Sequence, residues 1–142
     1  MLEFGTKLDA IDYIDRPGAY AVIEGDDNRI ALIETGNGYF LPGGGIDAGE
    51  TGVDALKREL IEEIGYQISV LAEIGAAVEY IKFSQEDKYY QIRSEFYKVQ
   101  LDSKIGDGIE TDHRLVWLSP ADALKLLTRQ SQVWAVQRIV KA

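Results

Sequence analysis

Short apolar segments separated by turn-forming residues occupy the first third of the chain and predict β-strands. Residues 20–23 and 30–33 are apolar, and the turn-forming residues 25–28 lie between them. This arrangement predicts a β-hairpin. A Gly-Asn-Gly turn over residues 36–38 then predicts a short strand over residues 39–41.

A helix is predicted after the Pro-Gly-Gly-Gly segment at residues 42–45, which itself predicts a flexible loop without regular structure. Thr51 followed by Asp54 resembles a capping box, and Gly65 is a natural left-handed stop. Between these ends, apolar residues recur every three or four positions: Val53, Leu56, Leu60 and Ile64. They share one helical face, which is therefore predicted to pack on the core.

The second half of the chain predicts more strands and then helices. In order, it predicts strands over 70–83 and 88–101, a Gly- and Asp-rich loop over 102–112, a strand over 114–118, and helices over 121–127 and 132–140. Ser119 and Pro120 suit the start of the first of these helices. The order of strands, helix, strands and helices predicts an α/β sandwich with helices on both faces of a mixed sheet.

Composition and charge narrow the class of protein. Hydrophobic residues make up 46% of the 142 residues and charged residues 27%, which supports one globular domain over residues 1–142. The formal charge is −9, which argues against broad binding of nucleic acid or anionic membranes. A small phosphate ligand stays compatible with this charge if bound cations invert the local field.

Targeting and redox features point to the cytoplasm. The chain begins without a basic segment followed by an apolar stretch, so no signal peptide is expected. No apolar run approaches the roughly 18–20 residues that cross a bilayer. The chain contains no cysteine, which removes disulfides and thiolate zinc sites from consideration and fits a cytoplasmic protein.

Three acidic residues of the predicted helix are the main candidates for chemistry. Glu59, Glu62 and Glu63 stand at i, i+3 and i+4, so their carboxylates share one face. Their mutual repulsion, and the helix dipole near the C-terminal end, both work against the helix. Bound Mg²⁺ or Mn²⁺ would reverse the sign of these interactions, because both ions prefer hard oxygen ligands. A solvated acidic helix face is the competing interpretation of these three residues alone.

The spacing around these glutamates resembles the Nudix box. The matching pattern is Gly44, five residues, Glu50, seven residues, Arg58-Glu59-Leu60, one residue, Glu62-Glu63, one residue and Gly65. The departure is Tyr66, where the family usually has an aliphatic residue; tyrosine is still strand-forming and largely apolar. The residues 39–44 also resemble the strand and Pro-Gly-Gly turn that precede the box. The resemblance implies a Nudix-type α/β/α sandwich with a mixed central β-sheet.

The resemblance also implies a role for each residue of the box. Glu59 and Glu63 would be the principal metal ligands, and Glu62 a ligand or an orienting base. A backbone carbonyl near Gly43 and Gly44 would complete the metal site.

Two further box residues would support that site. Glu50 and Arg58 would form an ion pair that fixes the loop against the helix. Glu50 is also a candidate ligand of a second metal ion.

Candidates outside the box are less specific. Family members often place another acid in a loop before the last strand, where Glu110 is favoured as a catalytic residue and Asp112 is the alternative. Either could instead be an ordinary solvated loop acid. His113, the only histidine, is expected to be structural rather than catalytic. Glu95 could point into the cleft, although an exposed strand acid is the preferred interpretation.

A few basic and aromatic residues could contact a ligand. Arg16 precedes the first core strand and is a candidate phosphate contact, with a surface role equally acceptable. Tyr20, Tyr80 and Tyr89 could stack on a base, although most strand tyrosines only pack.

The predicted function is metal-dependent hydrolysis of a nucleoside diphosphate linked to another moiety. The alternatives are a Nudix-like domain that binds a nucleotide without cleaving it, and an acidic scaffold without metal chemistry. The box carboxylates are all present, which favours the enzyme.

The substrate class is predicted from one segment outside the box. ADP-ribose-type members often carry a proline where residues 79–81 read Glu-Tyr-Ile. This difference argues against ADP-ribose and favours nucleoside triphosphates or dinucleoside polyphosphates. A homodimer is compatible with the resemblance, since dimers are common in this family.

Overall fold

The chain folds into two β-sheets flanked by helices, in a computed structural model that describes residues 1–83, 85–108 and 112–140. The strands are β1 Leu2–Phe4, β2 Ile14–Ile23, β3 Ile30–Thr35, β4 Gly38–Phe40, β5 Gly43–Gly45, β6 Tyr66–Phe83, β7 Lys88–Lys104 and β8 Arg114–Leu118. The helices are α1 Gly52–Ile64, α2 Pro120–Leu126 and α3 Gln130–Ile139, with a 3-10 turn at Asp26–Asn28. Within the described residues, no helix is long and apolar enough to cross a bilayer.

The larger sheet is mixed and the smaller one is antiparallel. The larger sheet has the order β1-β6-β7-β2-β5, and the smaller has the order β4-β3-β8. In the larger sheet β1 runs parallel to β6 and β2 parallel to β7, whereas the β6–β7 and β2–β5 pairs are antiparallel. The predicted mixed sheet is therefore confirmed.

Strands β2 and β3 are buried on both faces, which creates two hydrophobic cores. Ala21 of β2 packs in one core with Leu56 and other residues of α1. The neighbouring Val22 packs in the second core with Val136 of α3. Because successive side chains of a strand point to opposite faces, α1 and α3 lie on opposite sides. This arrangement confirms the predicted sandwich with helices on both faces.

The predicted hairpin between residues 20–23 and 30–33 is wrong. Strand β2 pairs with β5 and β7, whereas β3 pairs with β4 and β8. Among the described residues, the β-pairing between the two segments is limited to one isolated bridge, between Glu24 and Ile30. Each segment is a continuous apolar run that needs cover on both faces, and each lies between two other strands in its own sheet.

The prediction of irregular structure at residues 42–45 is also wrong. Gly43–Gly45 forms the short strand β5, which pairs antiparallel with β2. Gly43 has φ +145°, and a Cβ there would overlap the carbonyl oxygen of Ala19. The missing side chains thus permit close pairing with β2 rather than preventing regular structure.

Helix α1 has the ends and the buried face that its sequence predicts. The Thr51 hydroxyl accepts a hydrogen bond of 3.1 Å from the Asp54 N–H. Gly65 adopts the left-handed conformation, with φ 77° and ψ 26°. Leu56 and Leu60 are fully buried. The helix is therefore fixed at both ends and along its apolar face.

The remaining elements follow their predicted order. Strands β6 and β7 extend beyond their predicted limits, and register shifts between Tyr66 and Gly75 interrupt their pairing. The predicted Gly- and Asp-rich loop consequently starts after Lys104 rather than at residue 102. Strand β8 covers its predicted residues, and α2 and α3 begin one and two residues before the predicted helices.

Candidate active site

The three glutamates of α1 differ in exposure, and two of them, Glu59 and Glu63, contact β5. The side chain of Glu63 is 6% exposed, that of Glu59 is 15% exposed, and that of Glu62 is 39% exposed. A buried carboxylate is costly unless hydrogen bonds compensate for its lost hydration. The partners of Glu63 and Glu59 therefore define the site.

Glu63 is held by groups from two other parts of the fold. Its Oε1 accepts a hydrogen bond of 3.0 Å from the backbone N–H of Gly43 in β5. Its Oε2 lies 3.0 Å from Nδ1 of His113, just before β8. The helix, β5 and the segment before β8 thus meet at one carboxylate.

Glu59 lies directly against the backbone of β5. A Cβ on Gly44 would overlap the Glu59 carboxylate, so only glycine leaves room for that side chain in its present position. The close approach brings a carboxylate beside backbone polar groups of the Pro-Gly-Gly-Gly segment. It explains physically why the pattern has glycine at residue 44.

Arg58 joins the loop before the helix to the glutamates. Its Nε and Nη2 atoms bind the two carboxylate oxygens of Glu50, each at 2.8 Å. Its Nη1 atom lies 2.9 Å from Glu59 and 3.4 Å from Glu62, and Nη2 donates to the Gly45 carbonyl at 3.0 Å. One guanidinium therefore connects the loop, β5 and two of the three glutamates.

The ionised form of the Glu50 carboxyl group is strongly favoured over the protonated form in this network. The hydrogen bonds from Arg58, followed by the backbone N–H of Asp47 at 2.8 Å, lower the pKa of Glu50 to about 2. The same pairing with Glu50 raises the pKa of Arg58. The pair is thus fully ionised at neutral pH.

The donor set suits a hard divalent cation, although the side chains are not gathered around one point. Carboxylate oxygens from Glu59, Glu62 and Glu63 are the ligand type that Mg²⁺ and Mn²⁺ prefer. Among the described residues, no three Asp, Glu or His side chains lie close enough together to hold a metal ion as they stand. Arg58 donates hydrogen bonds to Glu59 and Glu62, whereas Glu63 interacts with Gly43 and His113.

A cleft of about 190 Å³ opens beside Glu63. Its lining includes Tyr20, Phe40, Gly43, Gly44, Glu63, His113, Arg129 and Gln132. The Arg129 guanidinium lies 5.2 Å from the centre of the Phe40 ring. The fully buried Gln132 accepts a hydrogen bond of 2.8 Å from the Leu41 N–H, which ties α3 to the short connection between β4 and β5. Cation, carboxylate and aromatic groups therefore surround one small space.

Tyr20 lies close enough to charged groups of the cleft for them to change the pKa of its hydroxyl. Burial raises the pKa of the Tyr20 hydroxyl, Arg129 opposes that shift, and Glu63 and Glu59 add to it. The tyrosine therefore stays neutral within the cleft.

The predicted loop acids have different placements. Glu110 lies outside the described residues. Asp112 is exposed, whereas its neighbour His113 contacts Glu63. Glu95 is partly buried and accepts a hydrogen bond of 2.6 Å from the Tyr97 hydroxyl. A Cβ on Gly52 would overlap Glu95, so this acid is neither in the cleft nor a fully exposed strand acid.

The predicted ligand-contacting residues separate into two groups. Tyr20 lines the cleft and Tyr80 lines a neighbouring groove. Arg16 stacks on the ring of Tyr90 at 4.8 Å, and Tyr89 packs against Tyr13 at 5.8 Å. Of these candidates, Tyr20 is the one beside Glu63.

Two cleft residues have no signal in the sequence. Arg129 and Gln132 belong to the start of α3, where Gln132 reads as an ordinary helix residue and Arg129 as part of a short connection. Their position beside Glu63 depends on the packing of α3 against β6 and on the hydrogen bond between Leu41 and Gln132.

Most of the chain matches a known protein family, and curated relatives match parts of it. The NUDIX domain family matches residues 15–138. A putative 8-oxo-dGTP diphosphatase of Bacillus subtilis (strain 168) is 31% identical over 105 residues, which are 72% of this chain and 66% of that protein. An RNA pyrophosphohydrolase of Helicobacter pylori (strain ATCC 700392 / 26695) is 37% identical over 84 residues, 53% of this chain and 54% of that protein. The matches thus span just under two thirds and about half of these relatives.

Solved structures share the fold at low sequence identity. A NUDIX hydrolase from Nitrosomonas europaea superposes with a TM-score of 0.69 at 19% identity, over 88% of both chains. This similarity supports the same arrangement of sheets and helices.

Proposed function

This chain belongs to the Nudix family, and we propose that it hydrolyses the pyrophosphate linkage of a nucleoside diphosphate derivative with the help of Mg²⁺ or Mn²⁺. The family assignment predicted from residues 44–66 is confirmed by the match over residues 15–138. The observation that carries the proposal is the meeting of Glu63, Gly43 and His113 beside a cleft that also contains Arg129.

The metal ion would be held by the glutamates of α1. We assign Glu59 and Glu63 as ligands, Glu62 as a ligand or orienting base, and the backbone at Gly44 as the source of a carbonyl ligand. When bound, a divalent cation neutralises phosphate charge and lowers the pKa of a water molecule. Its binding would also remove the repulsion among three acids near the end of one helix.

The other residues would hold this arrangement in place. Arg58 and Glu50 fix the loop before α1 and set the position of Glu59. The Gly43 N–H and His113 set the orientation of the Glu63 carboxylate. Glu110 stays the predicted loop acid, and Asp112 its alternative. Water is added across a P–O–P linkage, and two phosphate-bearing products leave.

The substrate proposal combines the sequence with the relatives. The name 8-oxo-dGTP diphosphatase denotes action on a nucleoside triphosphate, and the name RNA pyrophosphohydrolase denotes action on RNA. For this chain we favour nucleoside triphosphates or dinucleoside polyphosphates. A panel of these compounds, sugar nucleotides and capped RNA, assayed with Mg²⁺, separates the classes.

Neutralising the ligands tests the proposed chemistry. Glu59→Gln and Glu63→Gln should each lower kcat by about a hundredfold or more, because each removes a charge needed for metal and proton chemistry. Asp54→Asn is the matched control, since it neutralises an exposed acid in the first turn of the same helix. Circular dichroism should show folded proteins. Near-normal kcat in both glutamine variants would refute the proposed mechanism.

The binding-only alternative predicts a different result. A nucleotide-binding domain without activity would bind an α,β-methylene nucleotide in calorimetry yet release no phosphate-bearing product with any member of the panel. The complete set of box carboxylates favours the enzyme.

A further inference from the structure

A second, larger groove adjoins the cleft beside Glu63. It has a volume of about 670 Å³, compared with about 190 Å³ for the cleft. Phe40 and Arg129 line both spaces. The two spaces therefore meet at the point where the Arg129 guanidinium lies on the Phe40 ring.

The volumes suggest how a nucleotide could be divided between the two spaces. Pockets for drug-sized ligands occupy roughly 300–1,000 Å³. The cleft is smaller than this range, so it suits a phosphate group rather than a whole nucleotide. The groove lies within the range and has room for a base and a sugar.

The walls of the groove combine apolar and polar groups. Tyr80, Ile81 and Phe83 of β6 supply aromatic and aliphatic surface, and Phe40 continues it towards the cleft. Asn37 and Thr128 supply polar groups. A nucleoside has the matching character, because its base has a flat apolar face and its sugar and base edges are polar.

The start of α3, next to Arg129, is held rigidly by a buried acid. Glu79 of β6 is 7% exposed. Its carboxylate accepts hydrogen bonds from the Gln130 and Ser131 N–H groups at 3.2 and 3.0 Å, and from the Ser131 hydroxyl at 2.6 Å. These bonds fix the backbone that carries Arg129, so its side chain projects from a preorganised position.

Arg129 has the charge that a phosphate chain requires. Within the described part of the chain Arg129 forms no ion pair, as is also true of Arg16, Arg29 and Arg138. Of these four arginines, Arg129 is the one that lines the cleft beside Glu63. Its contact with Phe40 engages the face of the guanidinium. In a protein of charge −9, a cation without a carboxylate partner beside this cleft indicates an anionic ligand.

We propose that the larger groove binds the nucleoside of the substrate and that Arg129 binds the phosphate chain where it passes from the groove into the cleft. This inference rests on the proposed function, because it takes the substrate to be a nucleotide. It assigns the two spaces to different parts of one molecule.

The groove is tested by placing a carboxylate in its apolar wall. Ile81→Glu should raise KM for the nucleoside triphosphate turned over best by about tenfold or more and leave kcat nearly unchanged, because it weakens binding of the nucleoside only. Leu71→Glu is the matched control, since Leu71 is an exposed residue of the same strand outside the groove. Ile81→Ala should raise KM less than Ile81→Glu does, and it serves as a second variant because a smaller apolar side chain carries little risk of misfolding.

Arg129 is tested with a probe that has no nucleoside. Inorganic tripolyphosphate should inhibit the wild type competitively, and Arg129→Gln should weaken that inhibition by about tenfold or more through loss of a charge-assisted contact. Ile81→Glu should leave the inhibition constant of tripolyphosphate unchanged. Arg138→Gln is the control, because Arg138 also stacks on an aromatic ring of α3 but lies outside both spaces.

The outcomes separate this inference from the proposed function. Unchanged KM in Ile81→Glu, or unchanged tripolyphosphate inhibition in Arg129→Gln, overturns it. If the wild type hydrolyses no nucleotide, the proposed function fails, and calorimetry with α,β-methylene nucleoside triphosphates and Mg²⁺ replaces KM. Weaker binding in Ile81→Glu and Ile81→Ala, with normal binding in the Leu71→Glu and Arg138→Gln controls, then still supports the groove as the nucleoside site.

Discussion

Glu63 and Glu59 illustrate how single residues of α1 depend on their surroundings. Glu63 is nearly buried, and its carboxylate is stabilised by the Gly43 N–H and by His113. Glu59 occupies space that exists because residue 44 lacks a side chain. Both carboxylates are thus held in defined orientations by surrounding groups of the fold.

The Glu50–Arg58 pair should make stability depend on pH in the acidic range. The pKa of Glu50 is about 2 in the folded protein, whereas an unperturbed glutamate titrates near about 4.3. The unfolded chain therefore takes up this proton first as the pH falls. The stabilisation is complete above about pH 4.5 and is lost as the pH approaches 2.

Denaturant unfolding in metal-free buffer measures this effect. The free energy of unfolding of Glu50→Gln should be lower than that of the wild type at pH 7, and the two values should converge between about pH 4.5 and 2. The same substitution in an Arg58→Gln background provides the control, since the partner is then absent. A wild-type advantage that persists unchanged at pH 2 would contradict the role of the ion pair.

At the scale of elements, the short strand β5 connects the sheet to the glutamate helix. It pairs with β2, while Gly43 contacts Glu63 and Gly44 lies against Glu59. Glycine is required at two of its positions for different reasons. A Cβ on Gly43 would meet the backbone of β2, whereas a Cβ on Gly44 would meet the flexible end of the Glu59 side chain.

Alanine substitutions in β5 should therefore separate stability from activity. Gly43→Ala should lower the free energy of unfolding by about 1–3 kcal/mol, the range for a strained backbone conformation. Gly44→Ala should cost less stability but lower kcat, because it displaces the Glu59 carboxylate. Gly36→Ala, at a turn with open space around the Cβ position, is the control for both measurements. Equal losses of stability in Gly43→Ala and Gly44→Ala would argue against this division.

At the scale of the whole molecule, two cores and an acidic surface frame the site. Helices α1 and α3 cover opposite faces of β2 and β3, so the edge of α1 and the start of α3 both reach the region of β4 and β5. The formal charge of −9 disfavours an anionic substrate at long range, and the proposed bound cations and Arg129 would make the site locally attractive.

Metal binding should be visible as a gain in thermal stability. At a Mg²⁺ or Mn²⁺ concentration about 100 times Kd, the expected stabilisation is about 2.7 kcal/mol, which corresponds to about 6–10 °C in Tm for a domain of this size. Glu59→Gln and Glu63→Gln should reduce the shift, and NaCl of equal ionic strength controls for screening. An unchanged wild-type Tm would support the acidic scaffold instead.

Features that depend on neighbouring residues along the chain could be predicted from the sequence. The ends of α1, its apolar face and the spacing of Glu59, Glu62 and Glu63 follow from helical geometry within a few residues. The long strands, β8 and the two C-terminal helices follow from local periodicity in the same way. The resemblance of residues 44–66 to the Nudix box also needs only the order of residues.

Contacts between distant segments could not be predicted in this way and are seen in the folded chain. The partners of β2 and β3 depend on burial of both strand faces, and this requirement overrode the local hairpin signal. His113 reaches Glu63 across 50 residues, and Gln132 reaches Leu41 across 91. Such contacts form because two helices cover opposite faces of the same strands, and no periodicity along the chain encodes that packing.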